Sequence, residues 1–354
     1  MFNVEGLMAV LPPFLTDAPA DVVRVASLLR SGKVVALPTE TVYGLAAHAL
    51  DEAAVQKIFA IKGRPMLDPL IVHGFDLNAL KALAHFPPLA LKLAEAFWPG
   101  PLTLVVTKKM VVPRLVTAGR ATVALRVPAH PLMRTILAAC KLPLAAPSAN
   151  PFGYISPTRA QHVRDSLGDR APWIVDGGPC EHGLESTIVD VSDPAAPPRL
   201  LRPGPITAEM LEKVLGQPVL LGPATTQPSS STIPTPVSGS SPGLLAPGML
   251  PRHYSPKTPF ALLDPGAAPS PPPLGKRAAW IRLRRPPAGD VPPPNTEAFW
   301  LSENGDLAEA ARTLYDLLRK LDAGSYAQIW CETAPPEGLG PAINDRLRRA
   351  AAKG

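Results

Sequence analysis

Four basic residues lie at the ends of predicted structural elements, where they could bind an anionic ligand. Lys62 and Arg64 close a helical pattern that Pro65 ends. Arg126 lies in the apolar run TVALRVP, and Arg202 precedes a Pro-Gly turn. A charge in a buried strand needs an anionic partner, and the arginine fork fits phosphate or carboxylate. These residues predict a polyphosphate site, although Lys62 and Arg64 could simply stabilise a helix end.

Polar side chains accompany these cations at other element ends. Thr39, Glu40 and Thr41 directly follow the apolar run KVVALP, at the end of a strand that often faces a ligand crevice in α/β sheets. An ordinary strand-to-helix turn with capping residues is the alternative for this cluster. His73 lies in the run LIVH, where a core histidine is the commoner explanation. Further polar candidates follow or begin other apolar runs: Ser148, Asn150, Ser156, Glu185, Ser186 and Thr187.

Alternating apolar runs and helical patterns predict the framework that positions these residues. Between residues 17 and 216 they indicate an α/β or α+β domain on a sheet of at least six strands. Residues 222–248 are rich in Ser, Thr, Pro and Gly, which predicts an extended linker. After residue 259 the alternation resumes as a small α/β domain. The predicted strands of the first domain are residues 33–38, 70–73, 102–107, 122–127, 142–147, 173–176 and 186–191.

Composition excludes several other classes of protein. The chain of 354 residues has three cysteines and no CxxC pair, which argues against a disulfide framework and a cysteine metal site. GxxxxGK[ST], GxGxxG and HExxH patterns are absent from the sequence. No apolar run is long enough for a membrane helix, and no basic start precedes an apolar one, so we expect a cytoplasmic protein. The net charge of +6 favours anionic partners such as nucleotides or RNA.

Seven motifs lie between residues 18 and 216: PTETVYGLAAHA, IFAIKGRPMLDPLIVHG, WPGPLTLV, TVALRVPAHP, LAAPSANPFGYISPT, GLESTIVDV and RLLRPGPIT. In these motifs the sequence resembles the YrdC-like family of threonylcarbamoyl-AMP synthases in its longer, two-domain form. APGMLPRHYSP and EGLGPAINDRLRRAA resemble the linker end and the last helix of the longer form. Leu250 and Pro251 depart from the linker motif, which usually carries a basic residue there.

This resemblance implies a fold and a division of the chain. Residues 1–216 would form the catalytic domain, with a twisted mixed sheet and a concave basic face. Residues 217–258 would be the linker, and residues 259–354 a small Rossmann-like α/β domain. His253 and Tyr254 would belong to a lid that folds over the first domain.

The resemblance also implies roles for individual residues. Lys62 and Arg64 would be catalytic, through phosphate binding. A carboxylate at Asp68 facing ATP would need Mg²⁺ or an arginine beside it. The L-threonine contacts would be Thr39, His73, Arg126, Ala146 and Ser186. The ATP contacts would be Arg64, Asp68, Thr122, Ser148, Ser156 and Arg202.

The implied activity is that of a nucleotidyltransferase. L-Threonine, bicarbonate and ATP, with Mg²⁺, would give threonylcarbamoyl-AMP, pyrophosphate and water, for threonylcarbamoyl-adenosine formation in tRNA. The expected partners are the downstream tRNA threonylcarbamoyl-transfer machinery and a weak RNA contact, with no membrane. One alternative is a non-enzymatic module that binds double-stranded RNA. Another is a carbamoyl-adenylate enzyme like the hydrogenase-maturation carbamoyltransferases, whose paired cysteines this chain lacks.

Overall fold

A computed structural model describes residues 12–222, 244–249 and 253–352 of the chain. The strands are β1 Val35–Leu37, β2 Gly44–His48, β3 Ile71–His73, β4 Leu102–Thr107, β5 Thr122–Arg126, β6 Leu144–Ala145, β7 Trp173–Ile174, β8 Thr187–Asp190, β9 Arg199–Arg202, β10 Leu220–Leu221, β11 Phe260–Leu263, β12 Ala278–Arg284, β13 Thr296–Ser302 and β14 Gln328–Glu332. The α-helices are α1 Pro19–Arg30, α2 Glu52–Lys62, α3 Leu77–Lys81, α4 Pro88–Phe97, α5 Pro131–Cys140, α6 Ala160–Leu167, α7 Ala208–Leu215, α8 Leu307–Asp322 and α9 Gly340–Ala351.

The strands form a large mixed sheet and a smaller parallel one, which confirms the predicted α/β fold. The ten strands of the first sheet lie in the order β10-β9-β8-β4-β5-β3-β6-β2-β1-β7. The second sheet has the order β11-β14-β12-β13, and all its strands are parallel. β10 pairs with β9, so the first sheet extends beyond the predicted boundary at residue 216. Residues 223–243 and 250–252, which include most of the predicted linker and the Leu250-Pro251 departure, lie outside the described residues.

Strand β2 was not predicted, and it replaces the strand-to-helix turn that was considered for PTETVYGL. The chain reverses after β1, and Val35 to Leu37 pair antiparallel with Ala46 to Gly44. The run GLAAH lacks the alternation of a half-buried strand because four of its five residues are buried. Tertiary burial therefore overrides the weak strand preference of its alanines.

Helix α2 carries the first pair of cations to the site. The Asp51 side chain accepts a hydrogen bond from the Ala54 N–H at its start. Gly63 ends it with φ +64°, a left-handed conformation in which a glycine carries no steric penalty. Lys62 is therefore the last helical residue, and Arg64 follows the turn.

The two faces of the large sheet are covered differently. On one face, α2, α4, α6 and α7 contribute to the main apolar cluster. On the other face, α1 and α5 cover β1, β2 and β6. The rest of that face, across β3, β5, β4, β8 and β9, packs against Leu245, Ala246 and Met249. We name residues 244–249 and 253–256 the linker segment. Between helices α1 and α5 on one side and the linker segment on the other, a gap remains beside β3 and β5.

The second sheet is docked on the first domain through a shared apolar cluster. Helices α8 and α9 pack on it with Leu314, Leu318 and Ile343, and the same cluster includes Ile155 and Leu184 of the first domain. The two domains are therefore joined by a buried apolar contact region as well as by the linker. In the part of the chain that the structure describes, no helix has the length and apolar character needed to cross a membrane.

Candidate functional site

A cleft lies in the gap between the two covers of the large sheet. Ten of the fourteen predicted site residues line it. They are Thr39, Arg64, His73, Arg126, Ala146, Ser148, Ser186, Arg202, His253 and Tyr254. These residues come from strand ends, loops and the linker segment, so the fold brings together groups that are separated by more than two hundred positions along the chain.

Lys62 and Asp68 lie directly behind the cleft wall. The Lys62 Nζ donates hydrogen bonds to the carbonyls of Ser148 and Asn150, the latter at 2.6 Å. Asp68 is fully buried and forms an ion pair with Arg64 at 2.9 Å. Of the two partners expected for Asp68, Mg²⁺ or an arginine, the described residues supply an arginine, Arg64. Burial lowers the pKa of Lys62 well below its usual value, and the Arg64 charge lowers it further.

Thr122 and Ser156 do not line the cleft. Thr122 begins β5 and shares a sheet face with Ala124 and Arg126, because side chains alternate along a strand. Ala124 is covered by the linker segment, so Thr122 lies at the far end of the covered part of this face. Ser156 is fully buried and contributes to the electrostatic surroundings of Glu185. Their predicted contacts with ATP stay predictions.

Arg126 forms a buried ion pair with Glu40, a residue that the predicted contact sets omit. The Nη2–Oε1 distance is 2.6 Å. Arg126 also donates from Nη1 to the Thr41 hydroxyl at 2.9 Å and from Nε to the Gly100 carbonyl at 3.1 Å. Burial alone would raise the pKa of Glu40, but the Arg126 charge and the hydrogen bonds from Arg126 and the Ala129 N–H together lower this pKa to about 2. The anionic partner that the sequence demanded for Arg126 is thus supplied by the protein.

Arg202 and Arg64 are oriented by backbone carbonyls. Arg202 donates to the Ser186 carbonyl at 2.9 Å from Nη2 and to the Pro247 carbonyl at 3.5 Å from Nη1. Arg64 donates to the Pro69 carbonyl at 2.7 Å. Both guanidiniums are nearly fully buried, which lowers their pKa values. Cations held in a site with little water interact strongly with an incoming anion.

Two histidines of the cleft are neutral. Burial lowers the pKa of His73 to about 3 and that of His253 to about 3. The Nδ1 atom of each has no hydrogen-bond partner among the described residues. A neutral imidazole can donate from one ring nitrogen and accept at the other. These rings therefore offer hydrogen bonds to a polar ligand group without adding charge.

Models of two families match consecutive parts of the chain. The Sua5, YciO and YrdC model, described as "Telomere recombination", matches residues 27–204. The model described as "Threonylcarbamoyl-AMP synthase, C-terminal domain" matches residues 206–352. This chain belongs to the Sua5/YrdC family of threonylcarbamoyl-AMP synthases. The second match extends this assignment to the two-domain form that the sequence predicted.

Whole-length relatives agree with this assignment. A threonylcarbamoyl-AMP synthase of Pyrococcus abyssi is 40% identical over 92% of each chain. That of Bacillus subtilis is 39% identical over 95% of this chain and 94% of its own. Among solved structures, P. abyssi Sua5 complexed with L-threonine is similar with a TM-score of 0.81 and 36% identity, covering 96% of this chain and 98% of that one. These likenesses favour the synthase over the RNA-binding module.

The Glu40–Arg126 pair predicts a dependence of stability on acid. Because the pKa of Glu40 falls from its ordinary 4.5 to about 2, its contribution is complete above pH 4.5 and is lost as the pH falls toward 2. At about 1.4 kcal/mol per pH unit, this contribution is on the order of 3 kcal/mol. We expect Glu40→Gln to lower the free energy of unfolding at neutral pH and to flatten its fall in acid. Urea denaturation across this pH range measures both.

The exposed Glu95 provides the matched control for this measurement. Glu95→Gln should leave the acid dependence of the unfolding free energy like that of the wild type. An unaltered slope in Glu40→Gln would show that the ion pair with Arg126 does not govern it.

Proposed function

We propose that this protein forms L-threonylcarbamoyl-AMP from L-threonine, bicarbonate and ATP. The observation that carries the proposal is the convergence of predicted threonine and nucleotide residues on one cleft. It occurs in a chain that belongs to a family of threonylcarbamoyl-AMP synthases. A relative of similar structure is described as a complex with L-threonine, which supports a threonine subsite in this cleft.

The burial of the cations favours this enzyme over a module that binds duplex RNA. Lys62, Arg126 and Arg202 are only 2%, 3% and 4% exposed. Contacts with an RNA backbone need cations that reach phosphates on an outer surface. Cations below the surface, around a cleft, suit small anionic substrates instead.

The threonine subsite combines one ion pair with neutral hydrogen-bonding groups. Arg126 carries the positive charge nearest His73, since the two are Cα partners in adjacent strands. We assign Arg126 to the amino-acid carboxylate, with Glu40 fixing its orientation. The Ser186 hydroxyl, which is 2.8 Å from that of Thr103, and the neutral His73 ring then read the threonine hydroxyl.

The nucleotide subsite lies toward Arg64, Ser148 and Arg202. In the proposed reaction, the threonine amine attacks the bicarbonate carbon, and water leaves to give a carbamate. A carbamate oxygen then attacks the α-phosphorus of ATP, and the bond to pyrophosphate breaks. Negative charge grows on the phosphoryl oxygens and on the leaving group. Lys62, Arg64 and Arg202 stabilise that charge from fixed positions.

Magnesium is proposed to enter with ATP. Among the described residues, no three His, Cys, Asp or Glu side chains are grouped so that they could hold a metal ion. Glu185, which lines the cleft, and Glu40, which pairs with the lining residue Arg126, each have an arginine partner. The residues present therefore fit an ion bound chiefly through phosphate oxygens and water, the usual arrangement for Mg²⁺ with a nucleotide. When bound, it would neutralise part of the phosphate charge.

The linker segment is proposed to act as a lid. The Leu244 N–H donates to the Leu67 carbonyl, and Pro247, His253 and Tyr254 contribute to the cleft wall. A closed segment would keep water from the labile mixed anhydride. The released product would then pass, in the cytoplasm, to the machinery that transfers threonylcarbamoyl to tRNA.

Removal of the Arg64 charge tests the phosphate clamp. We expect Arg64→Ala to raise the barrier by about 2–4 kcal/mol, as for the loss of an oxyanion donor, which is roughly a 10²–10³-fold slower release of pyrophosphate. Pyrophosphate should also fall to background for the wild type when threonine or bicarbonate is omitted. Arg114→Ala, at an exposed arginine, is the control. Wild-type release from a folded Arg64→Ala protein would remove Arg64 from the mechanism.

Replacement of threonine by valine tests the threonine subsite. Sites that hydrogen bond a substrate hydroxyl reject the analogue without it by about 10⁴-fold or more, because their own buried groups lose partners. We therefore expect kcat/KM for valine to be about 10⁴-fold lower than for threonine. Serine keeps the hydroxyl and should lose only about 10–200-fold. Similar values for valine and threonine would contradict this arrangement of Ser186 and His73.

A methyl group at Gly248 tests the lid. A Cβ there would lie 3.0 Å from the Tyr254 hydroxyl and 3.3 Å from Arg202 Nη1, and φ is +76°. Gly222 has φ +79° but open space, so Gly222→Ala adds the same backbone strain, about 1–2 kcal/mol, without the contact. We expect only Gly248→Ala to lower the ratio of intact threonylcarbamoyl-AMP to released pyrophosphate. Equal ratios in all three proteins would favour a plain tether.

A further inference from the structure

Glu185 of the first domain is held by two helices of the second domain. It lines the cleft next to Ser186, and its carboxylate accepts hydrogen bonds from Arg346 Nε at 2.8 Å and from the Tyr315 hydroxyl at 3.1 Å. Arg346 lies on α9 and Tyr315 on α8. Burial alone would raise the pKa of Glu185, but the Arg346 and Arg202 charges, the Ser156 hydroxyl and the hydrogen bond from Arg346 together lower it to about 2. Glu185 is therefore an anion whose main counterion comes from the other domain.

Arg346 also contacts the backbone next to the proposed ATP contact Arg202. It is 1% exposed, and its Nη1 donates to the Pro203 carbonyl at 2.9 Å. Asp345 on the same helix supplies a second carboxylate at 2.7 Å. The guanidinium thus connects the start of β8, through Glu185, with the end of β9, through Pro203. Both proposed subsites border these strand ends.

The same two residues pack against the linker segment. The Tyr315 and Tyr254 rings stack with centroids 5.7 Å apart, and the Arg346 guanidinium lies 5.4 Å from the centre of the Tyr254 ring. Tyr254 has φ +62°, an unfavourable conformation for a residue with a side chain. Its ring is 1% exposed, so packing against α8 and α9 holds this backbone in place.

Helix α9 also accepts hydrogen bonds from the backbone and side chain of the linker segment. The Arg349 carbonyl accepts from the His253 N–H at 3.2 Å and from the Ser255 hydroxyl at 3.4 Å. The Ser255 N–H donates to the Gly153 carbonyl of the first domain at 2.9 Å. Residues 253–255 are thus hydrogen bonded to both domains.

We infer that Arg346 and Tyr315 are positioning residues, through which the second domain fixes Glu185 in the cleft and holds the linker segment closed over it. The expected loss of kcat rests on the proposed function, whereas the expected change in hydrogen exchange does not. Neither residue lines the cleft, so neither is a catalytic residue. The second domain would therefore hold Glu185 in the cleft wall and the linker segment over the cleft in fixed relative positions.

The test compares Arg346→Met with Arg348→Met on the same helix. Methionine keeps much of the length of the side chain but removes the charge, and Arg348 is exposed. For Arg346→Met we expect kcat for pyrophosphate release to fall roughly 10–100-fold, as for a small misplacement of reacting groups, with KM for threonine and ATP changed about threefold or less. Arg348→Met should match the wild type.

Hydrogen exchange supplies a readout that is independent of activity. The Leu244, His253 and Ser255 amides, which are bonded in the closed linker segment, should exchange faster in Arg346→Met. The helical amides of α8 should keep wild-type exchange. Faster exchange throughout both helices, with kcat and KM unaltered, would assign Arg346 a purely structural role and overturn the inference.

Tyr315→Phe provides a second variant if Arg346→Met fails to fold. It removes the hydroxyl that donates to Glu185 and keeps the ring that stacks on Tyr254. We expect a roughly tenfold lower kcat for it, with exchange at Ser255 nearly unchanged. A folded Tyr315→Phe protein with wild-type kcat would contradict the inference. If the wild type itself released no threonine-dependent pyrophosphate, the proposed function would fail, while the exchange comparison would still decide the structural claim.

Discussion

A charge taken out of water needs a partner, and this constraint organises the region around the cleft. Three buried arginines pair with carboxylates there: Arg126 with Glu40, Arg64 with Asp68, and Arg346 with Glu185. Breaking one such pair would leave an uncompensated buried charge, which costs about 3–5 kcal/mol. The pairs therefore keep their geometry without a ligand. A site built from them is organised before substrate arrives, which is the condition for electrostatic stabilisation of a transition state.

The position of the cleft follows from how one face of the large sheet is covered. Side chains alternate along β3 and β5, which places His73 and Arg126 on the sheet face that α1 and α5 cover only as far as β6. The middle of the remaining face is apolar, with Ile71, Val105 and Ile188 under the linker segment. The sheet face that was predicted to be basic is therefore apolar in its middle and carries its basic residues at the margin. Apolar burial anchors the linker segment, and the arginines at its edge line the cleft.

Local pattern was enough to predict much of the fold, since apolar runs mark strands, and it placed polar residues at strand ends. The individual threonine and ATP contacts followed from the family resemblance. Local pattern could not reveal β2, because a strand buried on both faces shows no alternation. The sequence pattern indicated that Arg126 needs an anionic partner but did not identify Glu40, because the two residues are 86 positions apart and are brought together only by the fold. Arg346 had no local signal, since a basic residue near the end of a helix is ordinary.

Under the proposed function, the linker contacts would couple closure of the linker segment to nucleotide binding. Arg202 makes its shorter hydrogen bonds to Ser186, within the first domain, and a longer one, 3.5 Å, to the Pro247 carbonyl of the linker segment. A phosphate oxygen is a stronger acceptor for guanidinium than a carbonyl at that distance. Under the proposed function, ATP would replace the Pro247 contact while the Ser186 contacts keep the arginine oriented. The apolar contacts of Leu245 and Met249 with the sheet do not involve that exchange. The linker segment would therefore release Arg202 to the nucleotide and remain packed on the sheet.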